Sequence, residues 1–214
     1  MVELPLQGRL VWLIGGGKIA SRKLEGLLPC GAQIVIIAPV IDDNIAKLAA
    51  TGQIQHHSQR FDVTLLERSP PPWLVFAATD DADLNRAIAQ HCTAQRIWCN
   101  SADDPEVSSF RVAAMVRRGP VTVAVASGGL SPALSRLLKE RIEAWLEVGW
   151  QSLALVFGSM RAQVRQQITD QPLRQRFWRH IAQQAAAEQR YHYQDNQQWF
   201  NQHLAQFLRS LSND

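Results

Sequence analysis

Residues 10–28 read LVWLIGGGKIASRKLEGLL: an apolar run, three glycines, and then the opening of an amphipathic helix. A strand that turns sharply into a helix needs backbone where a Cβ would collide with the strand or with a phosphate. Gly15 and Gly17 occupy the first two positions of G-x-G-x-x-G/A, and Ala20 fills the third. The free N–H groups of the helix's first turn would face a pyrophosphate, whose charge the helix dipole favours. The motif is short, and a glycine-rich strand-to-helix turn without a ligand is the competing reading.

Working outward, the first hundred residues alternate as a parallel sheet with crossover helices requires. Strands are expected at 10–14, 34–37, 54–56, 74–78 and 97–100, helices at 19–28, 42–50 and 83–92, and a loop around Phe61 and Asp62. From Phe110 the pattern changes. Segments 111–117 and 121–126, joined at Gly119-Pro120, read as a hairpin-like pair of strands. A long helix is expected at 133–146, with Ser131 as N-cap and Pro132 as first helical residue. The remainder, rich in Gln, Ala and Arg, reads as a small helical bundle broken near residues 170–172 and 191–196.

A chain of 214 residues accommodates a sizeable core and a smaller appended unit. No apolar run approaches the roughly 20 residues that span a bilayer, and the N-terminus has no secretory pattern. Three cysteines, Cys30, Cys92 and Cys99, lack CxxC spacing, which fits buried thiols in a reducing cytoplasm. The six histidines form no HxxxH pair and no His-Cys spacing, so no resident metal site is expected. Net charge is only +3, with basic residues grouped at Arg117, Arg118, Arg136, Lys139 and Arg141 and acids at 80–83 and 103–106. Neither a membrane nor nucleic acid is an expected partner.

The second strand raises a difficulty. A typical NAD site carries an acid about 20 residues after the glycines to hold the adenosine ribose. Here the strand ends Ile37, Ala38, Pro39, Val40. Either main-chain groups at Pro39 and Val40 hold the ribose, or no cofactor binds; a generic dehydrogenase is disfavoured.

Four further observations bear on this. GGGKIASRK (15–23), AATDDADLN (77–85), CNSADDPEVSSF (99–110) and RRGPVTVAVASGGLSPALSRLLKERIE (117–143) occur in this order. Together they closely resemble the precorrin-2 dehydrogenase/sirohydrochlorin ferrochelatase family, the dehydrogenase module of siroheme synthases. The resemblance runs over residues 3–145; beyond that only length and helical character agree. It departs from the family at Arg111 and Ala113, where members usually carry an aliphatic residue and a proline.

The resemblance implies an α/β fold, a Rossmann-like parallel-sheet domain (1–112) followed by a dimerisation segment (113–146) and a small helical C-terminal domain (147–214). It implies NAD held by Gly15, Gly16, Gly17, Lys18 and Ile19 and by main chain at Pro39 and Val40, so the missing acid is a family trait. Thr79 and Asp80 would lie at the strand edge facing the nicotinamide half, with Asn100 ending the next strand. Asp103 matches the aspartate implicated in both family activities, and Ser127 matches a serine phosphorylated in some members.

Chemistry asks for such a carboxylate. Converting precorrin-2 to sirohydrochlorin removes a hydride, which NAD⁺ accepts, and a proton, which needs a base. Fe²⁺ insertion displaces two pyrrole protons. Asp103 is therefore the expected catalytic residue; its alternative role is to cap the turn before Pro105, which is the better reading for Asp104. A substrate with eight carboxylates makes Arg117, Arg118, Ser127 and Arg136 candidate binding residues, although for Ser127 a turn or capping role is the stronger reading. The expected function is NAD-dependent oxidation of precorrin-2, with Fe²⁺ insertion as a second activity. The alternatives are a dehydrogenase without chelatase activity and a non-catalytic nucleotide sensor. No appended methyltransferase module is expected in these 214 residues. A homodimer is expected to bury the alternating segment 121–126 and the stripe Leu134, Leu137, Leu138 and Ile142; the alternative is burial against the chain's own C-terminal helices.

Overall fold

A computed structural model describes residues 2–67 and 70–211, and the chain divides into two compact units, 1–112 and 113–214. The first is built on strands β1 (Leu10–Ile14), β2 (Gln33–Ile37), β3 (Gln55–His57), β4 (Leu74–Ala77) and β5 (Trp98–Ser101). They form one sheet in the order β3-β2-β1-β4-β5, and every pairing is parallel. Parallel strands buried on both faces read as continuous apolar runs, and β2 (QIVII) and β4 (LVFA) do so. Chain order reverses at β1, between β2 and β4, which is where open α/β sheets bind ligands beyond their carboxyl ends.

Helices α1 (Lys18–Leu27), α2 (Asp43–Ala50) and α3 (Ala82–Ala94) make the crossovers. On one face Ala20, Leu24 and Leu27 of α1 and Ile45 of α2 pack with Leu13, Ile36 and Phe76; on the other, Ile88, Ala89 and Cys92 of α3 pack with Ile14, Val75 and Cys99. Each fully buried aliphatic side chain here contributes about 1.5–3 kcal/mol. The neighbouring Cys99 thiol, and then burial, push the Cys92 thiol up.

Local starts and stops explain the boundaries. Asp42 accepts from Ile45 N at 2.9 Å and Asp81 from Leu84 N at 3.0 Å, capping α2 and α3. β3 and β5 each lie one residue later than their expected starts, and the loop expected after Phe61 contains a 3-10 turn, Val63–Glu67. Asp62 bonds both Thr64 N and its hydroxyl, and Leu65 and Leu66 plug into the sheet. That local hydrogen bonding wins over extended loop backbone.

The second unit opens with the antiparallel pair β6 (Ala114–Arg118) and β7 (Val121–Val125). The expected strand start at 111 is not observed, because the ladder begins only where Ala114 meets Val125. Next come α4 (Pro132–Trp145), α5 (Gly149–Ser159), α6 (Arg161–Gln167), α7 (Gln171–Ala187) and α8 (Asn196–Leu211). Ser131 caps α4 through Leu134 N and Pro132 opens it, as expected. The bundle breaks at both expected places and also at Met160, which separates α5 from α6. Its core is aromatic: Phe177 and Phe200 are both fully buried, with ring centroids 5.7 Å apart. Residues 212–214 of the expected helical region lie outside the described residues.

Candidate dinucleotide-binding and acid-base site

The glycine turn follows β1 directly, and its three glycines have different physical reasons. Gly15 has φ +116°, and a Cβ there would sit 2.2 Å from the Ala78 carbonyl oxygen, so only glycine fits. At Gly16 a Cβ would sit 2.0 Å from the Val40 carbonyl oxygen. The turn is pinned by Gly15 N to Ile37 O (3.0 Å) and by Asp42 N to Gly16 O (2.8 Å).

Gly17 is unlike both. Its φ is −87°, and a Cβ would meet nothing within 4 Å. The protein's own packing therefore does not demand glycine at this position. Gly17 is the N-cap of α1, and it supplies no side-chain cap, whereas Asp42 and Asp81 cap the other two helices described in this unit. Open space in front of an uncapped helix N-terminus fits a pyrophosphate on the N–H groups of Lys18 and Ile19. Ala20 is fully buried, as close helix–strand packing requires. Pro39 and Val40 are exposed beyond β2 and offer only main-chain groups for a ribose. His56, which sequence reading set aside, holds this end by its Nε2, 2.9 Å from the Ala38 carbonyl oxygen.

At the ends of β4 and β5 the structure assembles a polar cluster. Asn85 of α3 is fully buried; its Oδ1 accepts from Thr79 N (3.1 Å) and the Thr79 hydroxyl (2.8 Å), and its Nδ2 donates to Thr79 O (3.1 Å) and Asp103 Oδ2 (3.1 Å). Ser101 Oγ donates to the other Asp103 oxygen at 2.6 Å. Burial opposes ionisation of Asp103, but the bonds from Ser101 and Asn85, together with the backbone N–H groups of Asp103 and Asp104, outweigh it and hold the carboxyl below its ordinary range. Asp103 is otherwise open to solvent.

Asp104 does what the turn reading expects. It accepts from Glu106 N at 3.0 Å and pairs with Arg86 at 3.1 Å, and the Glu106 bond and then Arg86 lower its carboxyl. Asp80, named as the acidic member of the Thr79 pair, is exposed, and its neighbour Asp81 takes the capping role.

The segment after β5 is fastened by serines. Ser109 Oγ receives Cys99 N (2.7 Å), and Ser108 Oγ receives Ser101 N (2.9 Å). Asn100 is buried, and its amide is engaged on both sides: Lys23 Nζ donates to Oδ1 at 2.7 Å, and Nδ2 donates to Phe110 O at 3.0 Å. Burial first, and then Arg22, lowers the Lys23 pKa. Phe110 stands edge-on to Phe76, with Lys23 above that ring at 5.3 Å. Asn100 thus anchors the loop that carries Asp103.

In the second unit, Arg118 has a structural use. Its Nε donates to Leu146 O (2.9 Å) and its Nη2 to Glu143 O (3.0 Å), closing the last carbonyls of α4 where positive charge is favoured. Its fork therefore faces helix carbonyls in this structure. Ser127 also matches its structural alternative: Oγ accepts from Ser131 N (3.1 Å) and Ser135 Oγ (3.0 Å), ahead of Gly128 and Gly129 in left-handed backbone. Arg117 and Arg136 are exposed.

Sequence reading missed Asn85, Ser101 and Lys23. Asn85 left a signal: positions 85, 88, 89 and 92 form one stripe of α3, and the first is polar where the others are Ile, Ala and Cys. A buried amide in an apolar stripe needs partners, and the partners mark a site. Among the described residues, no group of three or more His, Cys, Asp or Glu side chains could hold a metal.

The chain is similar to known proteins. Residues 2–114 match the family model described as "Putative NAD(P)-binding", 118–144 the "Sirohaem biosynthesis protein central" model, and 149–206 the "Sirohaem synthase dimerisation region". The chain belongs to the precorrin-2 dehydrogenase/sirohydrochlorin ferrochelatase family. Siroheme synthase 3 of Aeromonas hydrophila is 39% identical over 82% of this chain and 37% of its own length. Siroheme synthase of Methylobacillus flagellatus is 37% identical over 88% of this chain and 40% of its own. The chain therefore spans about two fifths of these relatives. A solved structure of "SirC, precorrin-2 dehydrogenase" superposes with a TM-score of 0.74 at 22% identity, covering 96% of this chain and 98% of that one, which shows the fold.

Proposed function

We propose that this protein oxidises precorrin-2 to sirohydrochlorin with NAD⁺ in siroheme biosynthesis. The single observation that carries the reading is the juxtaposition at the carboxyl edge of the sheet. One buried amide, Asn85, binds both the Thr79 backbone at the end of β4 and the Asp103 carboxylate beyond β5. An anionic side chain is thereby held at the side of the cleft that follows the switch point.

Gly17 leaves room for the pyrophosphate, Lys18 and Ile19 offer N–H groups, and Pro39 and Val40 offer main chain to the ribose. When bound, NAD⁺ supplies the hydride acceptor. Thr79 and Asn100 shape the nicotinamide side. Asp103 takes the proton, through an oxygen that keeps a free lone pair beside the Ser101 or Asn85 bond. A carboxyl held below its ordinary range is a weak base, so the work rests on placement and fixed negative charge rather than on basicity. Arg117 and Arg136 are both exposed and are proposed to meet substrate carboxylates.

Insertion of Fe²⁺ is the second reading, favoured by the same observation: an ionised Asp103 suits a displaced pyrrole proton or an arriving cation. Two copies of the chain are proposed to pair through the second unit, where Leu134, Leu137 and Leu138 of α4 are 49%, 46% and 40% exposed. A reducing cytoplasmic setting accords with three free thiols. Among the described residues, no helix is long and apolar enough to cross a membrane.

The test is an anaerobic assay of purified protein with precorrin-2 and NAD⁺, followed by sirohydrochlorin with Fe²⁺ or Co²⁺. NADH and sirohydrochlorin should appear together in equal amounts. Absence of NADH from folded, NAD-binding protein would refute the dehydrogenase reading.

A further inference from the structure

We infer that Asn85 is a positioning residue for the reaction: its amide locks the Asp103 carboxylate to the Thr79 backbone and keeps that carboxylate charged and aimed at the cleft. The inference rests on the role given to Asp103 above.

The geometry leaves the amide one orientation. Both Oδ1 contacts come from donors, or a hydroxyl that can donate, on Thr79; both Nδ2 contacts go to acceptors, Thr79 O and Asp103 Oδ2. Reversing the amide would set oxygen against a carbonyl and a carboxylate, and NH₂ against an N–H. Three of four bonds would be lost, in a group with no access to water. The Thr79 side is itself rigid, because Asp81 N binds the Thr79 hydroxyl at 3.2 Å and Asp81 caps α3. The second Nδ2 hydrogen is therefore a fixed donor, and Asp103 is the acceptor it meets.

Ser101 Oγ binds the opposite oxygen, so each carboxylate oxygen carries one donor and the plane of the group is set. Charged groups nearby do not take over this task. Arg86 of α3 is paired with Asp104, Asp81 is the helix cap, Asp80 is exposed, and Lys23 of α1 is bonded to Asn100. The two neutral side-chain donors, joined by the backbone N–H groups of Asp103 and Asp104, favour the charged form of Asp103.

A purely structural Asn85, serving only to close the Thr79 turn, would leave the titration of Asp103 alone. The experiment therefore reads that titration directly, by ¹³C NMR of side-chain carboxyls assigned with Asp103→Ala, in wild type, Asn85→Ala and Asn85→Ser. NAD affinity and the pH profile of kcat/KM are measured beside it. Asn85→Ser keeps a small neutral polar side chain, too short to span Thr79 and Asp103, and adds no charge beside Asp103, so it serves if Asn85→Ala does not fold. The expected result is an Asp103 midpoint raised by about one pH unit or more, and an acid limb of kcat/KM that moves with it. NAD affinity should stay within about threefold, since the phosphate turn lies on β1 and α1. An unmoved midpoint in the folded variants, with any loss of activity uniform across pH, overturns the role of Asn85 while leaving Asp103 in place if Asp103→Ala is inactive. Full turnover by Asp103→Ala overturns the assignment of Asp103 and the role of Asn85 together.

Discussion

The sheet edge of the first unit and the α4 face of the second handle polarity in opposite ways. At the sheet edge, polar side chains point inward and are paired: Asn85, Asn100 and Ser101 are buried, and each has hydrogen-bond partners. On α4, apolar side chains point outward: no residue of that helix is fully buried, and Leu134, Leu137 and Leu138 remain about half exposed. Inward polar groups cost desolvation unless they are satisfied, so their presence marks chemistry. Outward leucines forgo burial unless another surface covers them, so their presence marks assembly. Satisfied inward polar groups mark the first unit as a candidate ligand site; the uncovered leucines of the second are proposed to meet a second copy.

The largest effect that could break this contrast is at Gly17. Gly17→Asp should fold normally, because a Cβ there meets nothing, yet weaken NAD by about 100-fold or more by placing a charge where the pyrophosphate sits. Circular dichroism and an NAD titration check both halves of the expectation. If the protein is bifunctional, this variant should still insert metal into supplied sirohydrochlorin. Next, Asp103→Ala should lower dehydrogenation by about 10²- to 10⁴-fold with NAD binding unchanged, measured by steady-state kinetics and the same titration. On the assembly side, Leu137→Glu should weaken self-association by about 10- to 100-fold, seen as a shift from dimer to monomer mass in light scattering. A wild-type protein of monomeric mass at micromolar concentration would remove the interface altogether.

The smallest expected effect is at Lys23. Lys23→Met removes the donor to Asn100, and a stability change of only about 1 kcal/mol is expected, since the ammonium is costly to bury. Amide exchange should quicken in the loop at 101–110. The sign with pH follows from the lowered pKa: between the folded value and the unfolded one near ~10.4, the unfolded chain binds the extra proton. Wild type should therefore gain stability relative to Lys23→Met as pH rises through that interval, which denaturant midpoints at several pH values would show.

Much of the first unit was legible in residue order. The alternation of apolar strands and amphipathic helices, with Gly15 and Gly16 at a turn, expresses local sterics and periodicity that a linear chain displays. The caps at Ser131 and the break at 170–172 were legible for the same reason. The 3-10 turn at Val63–Glu67 was not, since it depends on Leu65 and Leu66 finding the sheet. Residue type alone does not say what occupies the Arg118 guanidinium; Leu146 O does, 28 residues away, whereas the turn role favoured for Ser127 from the sequence rests on Ser131 N, only four residues on.

The sequence by itself determined the α/β class, the glycine turn, the family and the position of the carboxylate, because each rests on residue type at short spacing. Tertiary structure alone decided that Asn85 bonds Asp103. Asn85 lies 18 residues before it on another element, and Lys23 lies 77 residues before Asn100. Such partners meet only when β1, β4 and β5 align in the sheet and bring their carboxyl ends to one edge, a consequence of parallel pairing that no local stretch contains.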